Sequence, residues 1–226
     1  MQDSFSSLWD WIWLIFPLLN AIFLIAMLRQ IVWGWLPKIL AFILPFLLYN
    51  NNWSFSSWGM DFLITQLALV ACCIWGFYTW QQQGIGKNTL SLGGNKQGDD
   101  LLDNLAIEEP AQDALVRRMP LNDQVLVAFG ILAIILVLIV LGGYTSYRYS
   151  AWINASAGLE IGALYLFAKR YVEAWMAVIA YLAIELYTFS SLGSGINMYT
   201  VSTFFTLILA IYGLTVWWQA AQKHSL

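Results

Sequence analysis

The sequence predicts an all-α integral membrane protein with seven transmembrane helices, and three observations lead to that prediction. Hydrophobic residues make up 60% of the 226 residues and charged residues only 10%, whereas charged residues are about 25% of ordinary soluble domains. Seven apolar stretches are long enough to cross a hydrocarbon core of ~30 Å at ~1.5 Å per helical residue. When the connections are numbered alternately, nine of the ten Lys and Arg residues fall on one side. Cytoplasmic loops collect Lys and Arg, so this pattern predicts an outside N-terminus and a cytoplasmic C-terminus.

The spans follow one another with short connections, apart from one long loop at 81–123 and a tail at 220–226, both predicted to be cytoplasmic. The fourth span has almost no polar atoms, and we expect it to be a linker helix that faces lipid. The predicted spans are 8–28, 31–49, 58–80, 124–143, 151–168, 171–191 and 199–219. The cations assigned to the cytoplasmic side are Arg29, Lys38, Lys87, Lys96, Arg117, Arg118, Lys169, Arg170 and Lys223, and only Arg148 is assigned outside.

Two segments near the start of the chain resemble two segments near its end. RQIVWGWLPKI at 29–39 aligns with KRYVEAWMAVI at 169–179, and IWGFYTWQ at 74–81 aligns with IYGLTVWW at 211–218. The offsets are 140 and 137 residues, and both matches occur in the same order. They predict two three-helix bundles, 8–80 and 149–219, in parallel orientation because a single crossing joins them. Parallel repeats are a recurrent transporter plan, with the substrate near the midplane between the bundles.

Polar side chains inside the spans are the first candidates for a binding site. Glu160 lies in the middle of the fifth span and Glu185 about two-thirds along the sixth, and ionisable groups there cost ~2.5–3.5 kcal/mol on insertion scales. The span boundaries place no Lys or Arg at their depth. They are either protonated acids that hold helices together, or carboxylates that meet a cationic substrate or carry protons. Gln66 and Asn20 would bind ligand hydroxyls or bond a neighbouring helix.

Aromatic residues at repeat-related positions are the second group of candidates. Trp35 pairs with Trp175, and Trp75 pairs with Tyr212. Aromatic faces stack on flat heterocycles and attract cations. The alternative is that these rings lie at the membrane interface, where tryptophan is common, and this chain has 13 of them.

KRYVEAW at 169–175 and IWGFYTW at 74–80 resemble the PnuC (Pnu-type) vitamin transporters. Those proteins carry a basic pair before the sixth helix and a Tyr-Gly-Trp-x-x-Trp-like stretch that ends the third. The resemblance covers nearly the whole chain except the central loop. It implies a SWEET-like 3+1+3 bundle in the bacterial inner membrane. It also implies facilitated diffusion (uniport) of an unphosphorylated vitamin, most often nicotinamide riboside, a form of vitamin B3 used for NAD biosynthesis, and sometimes thiamine or riboflavin.

The sixth span departs from the pattern typical of nicotinamide riboside members, which is Trp-x-x-Trp-x-x-x-Asn. Trp175 matches the first position, but Val178 and Leu182 replace the other two. Glu185 lies on the same helical face, because positions i, i+3, i+7 and i+10 align at 3.6 residues per turn. A carboxylate there suits the fixed ring charge of nicotinamide riboside or thiamine, and suits neutral riboflavin less.

These arguments predict a transporter with no catalytic residues, no metal site and no cofactor. No span contains His, and no Cys/His or His/Asp pairing suggests an enzyme. The expected partners are a small-molecule vitamin and the lipid bilayer, with no nucleic acid, and a homo-oligomer is compatible with the sequence. A proton-coupled variant and a non-transporting membrane receptor stay open as alternatives. The predicted substrate-binding residues are Trp175, Glu185, Glu160, Gln66, Trp35, Trp75 and Tyr212.

Overall fold

The computed structural model describes residues 3–48, 60–83, 116–142, 150–191 and 198–223. Over these ranges the chain forms seven α-helices and a short 3₁₀ turn at Val32–Gly34, with no strand. Each predicted span coincides with one helix, so the all-α, seven-helix prediction is confirmed. Residues 84–115 of the central loop and Arg148 lie outside the described residues. The helices are α1 (Asp3–Leu28), α2 (Trp35–Leu48), α3 (Met60–Gln82), α4 (Leu121–Gly142), α5 (Ser150–Ala168), α6 (Glu173–Ser191) and α7 (Met198–Lys223).

The helices differ in how well each alone would suit a bilayer. Among the described residues, Leu121–Leu141 and Tyr199–Gln222 are long and apolar enough to cross a membrane, with mean hydropathies of 3.1 and 1.7. Ile15–Leu28 and Val32–Leu44 are shorter apolar helical stretches. The remaining helices carry polar side chains, and in α5 two of these, Asn154 and Ser156, are buried inside the bundle. A helix in a bundle can carry such groups because its neighbours shield them from lipid.

Six of the described helices form a closed ring. Each packs on the next in the order α1, α2, α3, α5, α6 and α7, and α7 packs on α1. Contacts between α3 and α5 and between α7 and α1 therefore join the first three helices to the last three. The six helices therefore surround a common interior.

Helix α4 lies outside this ring and packs on α5 and α3. Its contact with α5 depends on Gly158 and Gly162, where an added Cβ would overlap Ile135 and Ile131 of α4. Such small-xxx-small spacing lets helix backbones approach closely in membranes. The other faces of α4 expose large apolar side chains, including Phe129. This placement agrees with the interpretation of α4 as a lipid-facing helix.

The turns from α1 to α2 and from α5 to α6 have the same geometry, 140 residues apart. Gln30 and Arg170 both have positive φ, at 54° and 60°. Both turns carry the two backbone hydrogen bonds of a Schellman motif, in which a left-handed residue ends a helix. Those bonds are Ile31 N to Ala26 O (2.8 Å), Tyr171 N to Leu166 O (3.0 Å), Gln30 N to Met27 O (3.1 Å) and Arg170 N to Phe167 O (2.9 Å).

The aromatic core near these turns is also built twice. Trp35 at the start of α2 lies against Gly76 of α3, and Trp175 near the start of α6 lies against Gly213 of α7. Both indoles are fully buried, and a Cβ on either glycine would overlap the ring. Each indole also meets a second tryptophan edge-on at 5.7 Å between ring centroids: Trp35 with Trp80 at 89°, and Trp175 with Trp217 at 85°.

The last residues of the central loop are fixed against the second of these turns. Arg117 N donates to Arg170 O and Val172 N donates to Arg117 O, each at 3.1 Å. Met119 N lies 3.2 Å from both carboxylate oxygens of Glu173, and the Met119 side chain is buried. Partial burial and the nearby Arg117 guanidinium lower the pKa of Arg170. The described end of the loop is therefore a structured part of the fold.

Candidate functional site

A cavity of about 220 Å³ lies inside the helix ring. Every described helix except α4 contributes to its wall, so ring closure creates it. Its lining combines two carboxylates, several uncharged polar groups and four aromatic rings. The lining residues are Phe16, Phe42, Thr65, Gln66, Leu69, Trp152, Ile153, Asn154, Ser156, Ala157, Glu160, Glu185, Thr188 and Tyr199.

Glu185 joins three helices at one side of the cavity. The Tyr199 hydroxyl of α7 donates to its Oε2 at 3.0 Å, and Ser156 Oγ of α5 lies 3.4 Å from its Oε1. Each carboxylate oxygen thus faces a hydroxyl, which is the arrangement that an acceptor-only carboxylate needs. Glu185 lies on the helical face of α6 that was predicted for it. Trp175, Val178 and Leu182 on the same face are all buried, so this face points into the bundle.

Glu160 lines the cavity beside a buried cation. Lys38 Nζ lies 2.5 Å from Glu160 Oε1 and also donates to Asn20 Oδ1 at 2.5 Å. The ammonium is therefore held by two oxygens, and the pair joins α2 to α5 and α1. Pairing offsets part of the cost of burying each charge.

Three aromatic rings complete the surroundings of this ammonium. The Nζ atom lies 4.8 Å from the centroid of Phe42, 5.5 Å from that of Phe23 and 6.0 Å from that of Tyr181. Only 1% of the Lys38 side chain is exposed. A cation over aromatic faces gains electrostatic energy that grows as water is excluded. Lys38 consequently lies behind the cavity wall, in contact with the lining residues Phe42 and Glu160.

One expectation from the sequence is wrong at this point: it places no Lys or Arg at the depth of Glu160, whereas Lys38 pairs with that carboxylate. Lys38 is counted with the cytoplasmic cations although it falls inside the predicted second span, 31–49. In the structure α2 begins at Trp35, after the 3₁₀ turn Val32–Gly34, and Lys38 lies in its first turn. Its long side chain turns inward because Glu160 and Asn20 offer it oxygens there. Asn20 thus bonds a neighbouring helix, one of the two roles open to it from sequence.

Gln66 contributes a buried acceptor to the cavity wall. Its Oε1 atom is buried and has no hydrogen-bond partner among the described residues. A buried polar atom left without a partner costs ~1–3 kcal/mol, so such atoms are rare in native proteins. A donor on a molecule held in the cavity would satisfy this oxygen.

The four predicted aromatic residues do not line the cavity. Trp35 and Trp175 lie in the core against the two glycines. Trp75 stacks on Tyr165 at the outer surface, with ring centroids 5.5 Å apart and 9° between planes, and Tyr212 is 56% exposed.

The reason lies in helix geometry. Trp75 and Tyr212 each precede the glycine that contacts an indole, and neighbouring side chains on a helix diverge by about 100°. The repeat-related aromatic positions therefore identify packing contacts that the two halves share, rather than residues that line the cavity. Of the seven predicted residues, the structure brings Glu160, Glu185 and Gln66 together and places the four aromatic residues elsewhere; a direct contact of those four with substrate stays a prediction.

Several cavity residues were missed by sequence reasoning. Tyr199 and Ser156 contact Glu185, and Lys38 contacts Glu160. In α5, Ser156 and Glu160 lie four residues apart and so share a helical face, which was a usable signal. Trp152 lies one turn before Ser156 and also lines the cavity; its ring meets the exposed Tyr187, which is not a lining residue, edge-on at 5.7 Å.

Comparisons with known proteins agree on one group. Residues 8–219 match the family model of the nicotinamide mononucleotide transporters. The fold is similar to that of a crystal structure of the vitamin B3 transporter PnuC, with a TM-score of 0.65 and 13% sequence identity. That match covers 95% of this chain and 83% of the other. Among curated protein sequences there is no match.

Proposed function

Since the chain belongs to the nicotinamide mononucleotide transporter family, we propose that it carries nicotinamide riboside across the inner membrane by facilitated diffusion, with the substrate held in the ring cavity. Members of this family are transporters rather than enzymes, and the chain is an integral membrane protein of that kind. The predicted resemblance to the PnuC transporters is confirmed by the family match. The choice of substrate and of uniport is our proposal.

The charge of the cavity is the observation that carries this choice. Two carboxylates, Glu160 and Glu185, line the cavity, and the lining contains no Lys, Arg or His. A phosphomonoester would meet those carboxylates without the Arg or Lys that phosphate recognition normally uses. A riboside with a cationic pyridinium ring and no phosphate is the better electrostatic partner.

The remaining lining suits the neutral parts of the same molecule. Gln66 Oε1 offers an acceptor to a ribose hydroxyl or to the carboxamide N–H. Phe42, Trp152 and Tyr199 offer aromatic faces to the ring. A volume of about 220 Å³ is below the ~300–1,000 Å³ of typical ligand pockets, which favours a small vitamin over its larger nucleotide.

Duplication of the bundle completes the proposal. The two matching turns and the two Trp–Gly contacts support a parallel repeat of 8–80 and 149–219 in a SWEET-like 3+1+3 arrangement. The linker would be 124–143, with cytoplasmic segments at 81–123 and 220–226 and an outside N-terminus. The two contacts that join the halves, α3 with α5 and α7 with α1, are those a pseudo-twofold axis would exchange.

Uptake into proteoliposomes tests the proposal directly. Purified protein should admit labelled nicotinamide riboside down its gradient, and unlabelled riboside should compete better than its mononucleotide. No uptake of the riboside, or preferential uptake of the mononucleotide, contradicts the choice of substrate.

Thiamine is the second candidate because it also carries a fixed ring cation that Glu185 could face. Riboflavin is neutral and suits two carboxylates less. The same liposomes with an imposed pH gradient and the membrane potential held at zero decide between uniport and proton coupling, since only a coupled transporter would then accumulate riboside above the external concentration.

A further inference from the structure

The geometry points to Lys38 as a residue that sets the charge selectivity of the cavity, although it does not line the cavity. This inference rests on the proposed function, because it concerns how a cationic substrate is distinguished from a neutral one of the same shape. It assigns to Lys38 the task of cancelling the charge of Glu160. Glu185 then supplies the net charge that a monocation meets.

The first step is the charge inventory around the cavity. Among described residues that line the cavity or hydrogen-bond to its carboxylates, the charged groups are Glu160, Glu185 and Lys38. Lys38 pairs with Glu160 at 2.5 Å, while Glu185 is held by two neutral hydroxyls. With Glu185 ionised, the cavity therefore carries one uncompensated negative charge, which matches a single ring cation.

The second step is that Lys38 is fixed where it is. Asn20 and Glu160 hold its ammonium from two helices, and the rings of Phe42 and Phe23 lie about it. Asn20 and Glu160 are themselves 140 positions apart, the offset that relates the two matching turns. The Lys38 ammonium thus joins two residues at equivalent positions of α1 and α5. Because both residues hold it, its distance from the cavity is fixed.

The third step follows from removing one partner at a time. Glu160→Gln would leave the Lys38 charge uncompensated beside the cavity, so that the net charge falls to zero. Lys38→Met would leave both carboxylates without a cation. The double variant removes one charge of each sign and restores a single net negative charge. Ion pairs of this kind are separated from independent effects by a double-mutant cycle.

The experiment compares two ligands that differ in charge and hardly in shape. Nicotinamide riboside is cationic, and its 1,4-dihydro form, which carries one added hydride, is neutral. Calorimetry on the purified full-length protein would give the ratio of their affinities. Attraction across ~8 Å at an effective dielectric of ~20 corresponds to a factor of roughly ten to thirty in affinity, so the wild-type ratio should favour the cation by about that much.

The variants should change this ratio in a set pattern. Glu160→Gln should lower it about tenfold, Lys38→Met should raise it, and the double variant should return it to within about threefold of wild type. A change in packing alone would weaken both ligands together and leave the ratio where it was. An unchanged ratio in Glu160→Gln, or a double variant that does not recover it, refutes the assignment.

The experiment also distinguishes failure of the assignment from failure of a variant to fold and from failure of the proposed function. Should one single variant fail to fold, the other decides: a raised ratio in Lys38→Met, or a lowered ratio in Glu160→Gln, supports the assignment, and a wild-type ratio overturns it. Wild-type protein that binds neither form refutes the proposed function and this assignment together. Wild-type protein that binds the cationic form, with one ratio in every variant, refutes the role of Lys38 alone.

Discussion

Tyr199 donates a hydrogen bond to Glu185 across the contact between α7 and α6, with 3.0 Å from the hydroxyl to Oε2. The bond fixes a carboxylate that lines the cavity together with Gln66 and Thr65. The side chain of Glu185 thus contributes both to the charge of the site and to the contact between α6 and α7. Separate variants can remove the charge of Glu185 or its hydrogen bond with Tyr199.

Glu185→Gln should weaken binding of nicotinamide riboside by roughly ten- to thirtyfold with little change in thermal stability. Gln keeps an acceptor for Tyr199 but removes the charge that attracts the ring, and two charges ~8 Å apart are worth about this much at an effective dielectric of ~20. Calorimetry measures the affinity. Tyr199→Phe is the matched control, because it removes the hydrogen bond and keeps the charge; loss of a hydrogen bond to a charged group should cost ~1.5–3 kcal/mol of stability. Equal affinity losses in both variants would contradict the charge argument.

Gln66→Leu should raise the melting temperature of the empty protein while it lowers affinity for the riboside. The change removes a buried acceptor that has no partner among the described residues, and such an atom costs ~1–3 kcal/mol. Thermal unfolding with and without ligand measures both effects. Leu69→Ala is a control on the same wall, since it removes apolar contacts and should lower the melting temperature. A drop in stability with unaltered affinity in Gln66→Leu would show that this oxygen does not meet the substrate.

Gly76→Ala and Gly213→Ala should each destabilise the protein by ~1–3 kcal/mol. An added Cβ would overlap the indole of Trp35 or Trp175, and overpacking of a filled core has that cost. Gly130→Ala is the matched control, because nothing lies within 4 Å of its added Cβ on α4; it should stabilise slightly, since Ala is the better helix former. Tryptophan fluorescence during unfolding measures all three. Similar behaviour at the three positions would mean that the Trp–Gly contacts are not tightly packed.

Glu173→Ala should expose the end of the central loop to trypsin. The Glu173 carboxylate accepts from Met119 N, and without it the backbone at Arg117 and Arg118 should detach more often from the α5–α6 turn. Local opening of this kind governs cleavage at a protected site. The rate of cleavage after Arg117 and Arg118, followed by mass spectrometry, should rise several-fold. Asp123→Ala, at an exposed acid in the first turn of α4, should leave that rate unchanged; an equal rise in both variants would speak for a general loss of stability.

The sequence predicts the helices well because their signals are local. Seven apolar stretches coincide with seven helices, and the 140-residue offset that pairs Arg29 with Lys169 also relates the two left-handed turn residues. Glu160, Glu185 and Gln66 could be found as well, since polar groups in apolar spans stand out and the cavity contains all three.

The partners of these groups could not be found in the same way. Lys38 is 122 residues from Glu160 in sequence, and only the packing of α2 on its neighbours reveals that a lysine near a helix end turns inward. The predicted aromatic residues failed to reach the cavity for a related reason. These residues do occupy equivalent positions in the two halves, but the equivalence reflects close packing at Gly76 and Gly213. The contacts between helices determine which face of α3 or α7 points into the ring, and the sequence alone does not show them.

The two carboxylates of the cavity both belong to the second half of the chain, on α5 and α6, whereas α1, α2 and α3 face them with Phe16, Phe42, Thr65, Gln66 and Leu69. The two halves of the chain thus have similar turns but line the cavity with different side chains. A ligand with its charge at one end should place that end toward α5 and α6, because the lining residues of α1, α2 and α3 include no ionisable side chain. Held in that one orientation, it would present different atoms to the two sides of the ring, so we expect its release to the two sides to differ in rate.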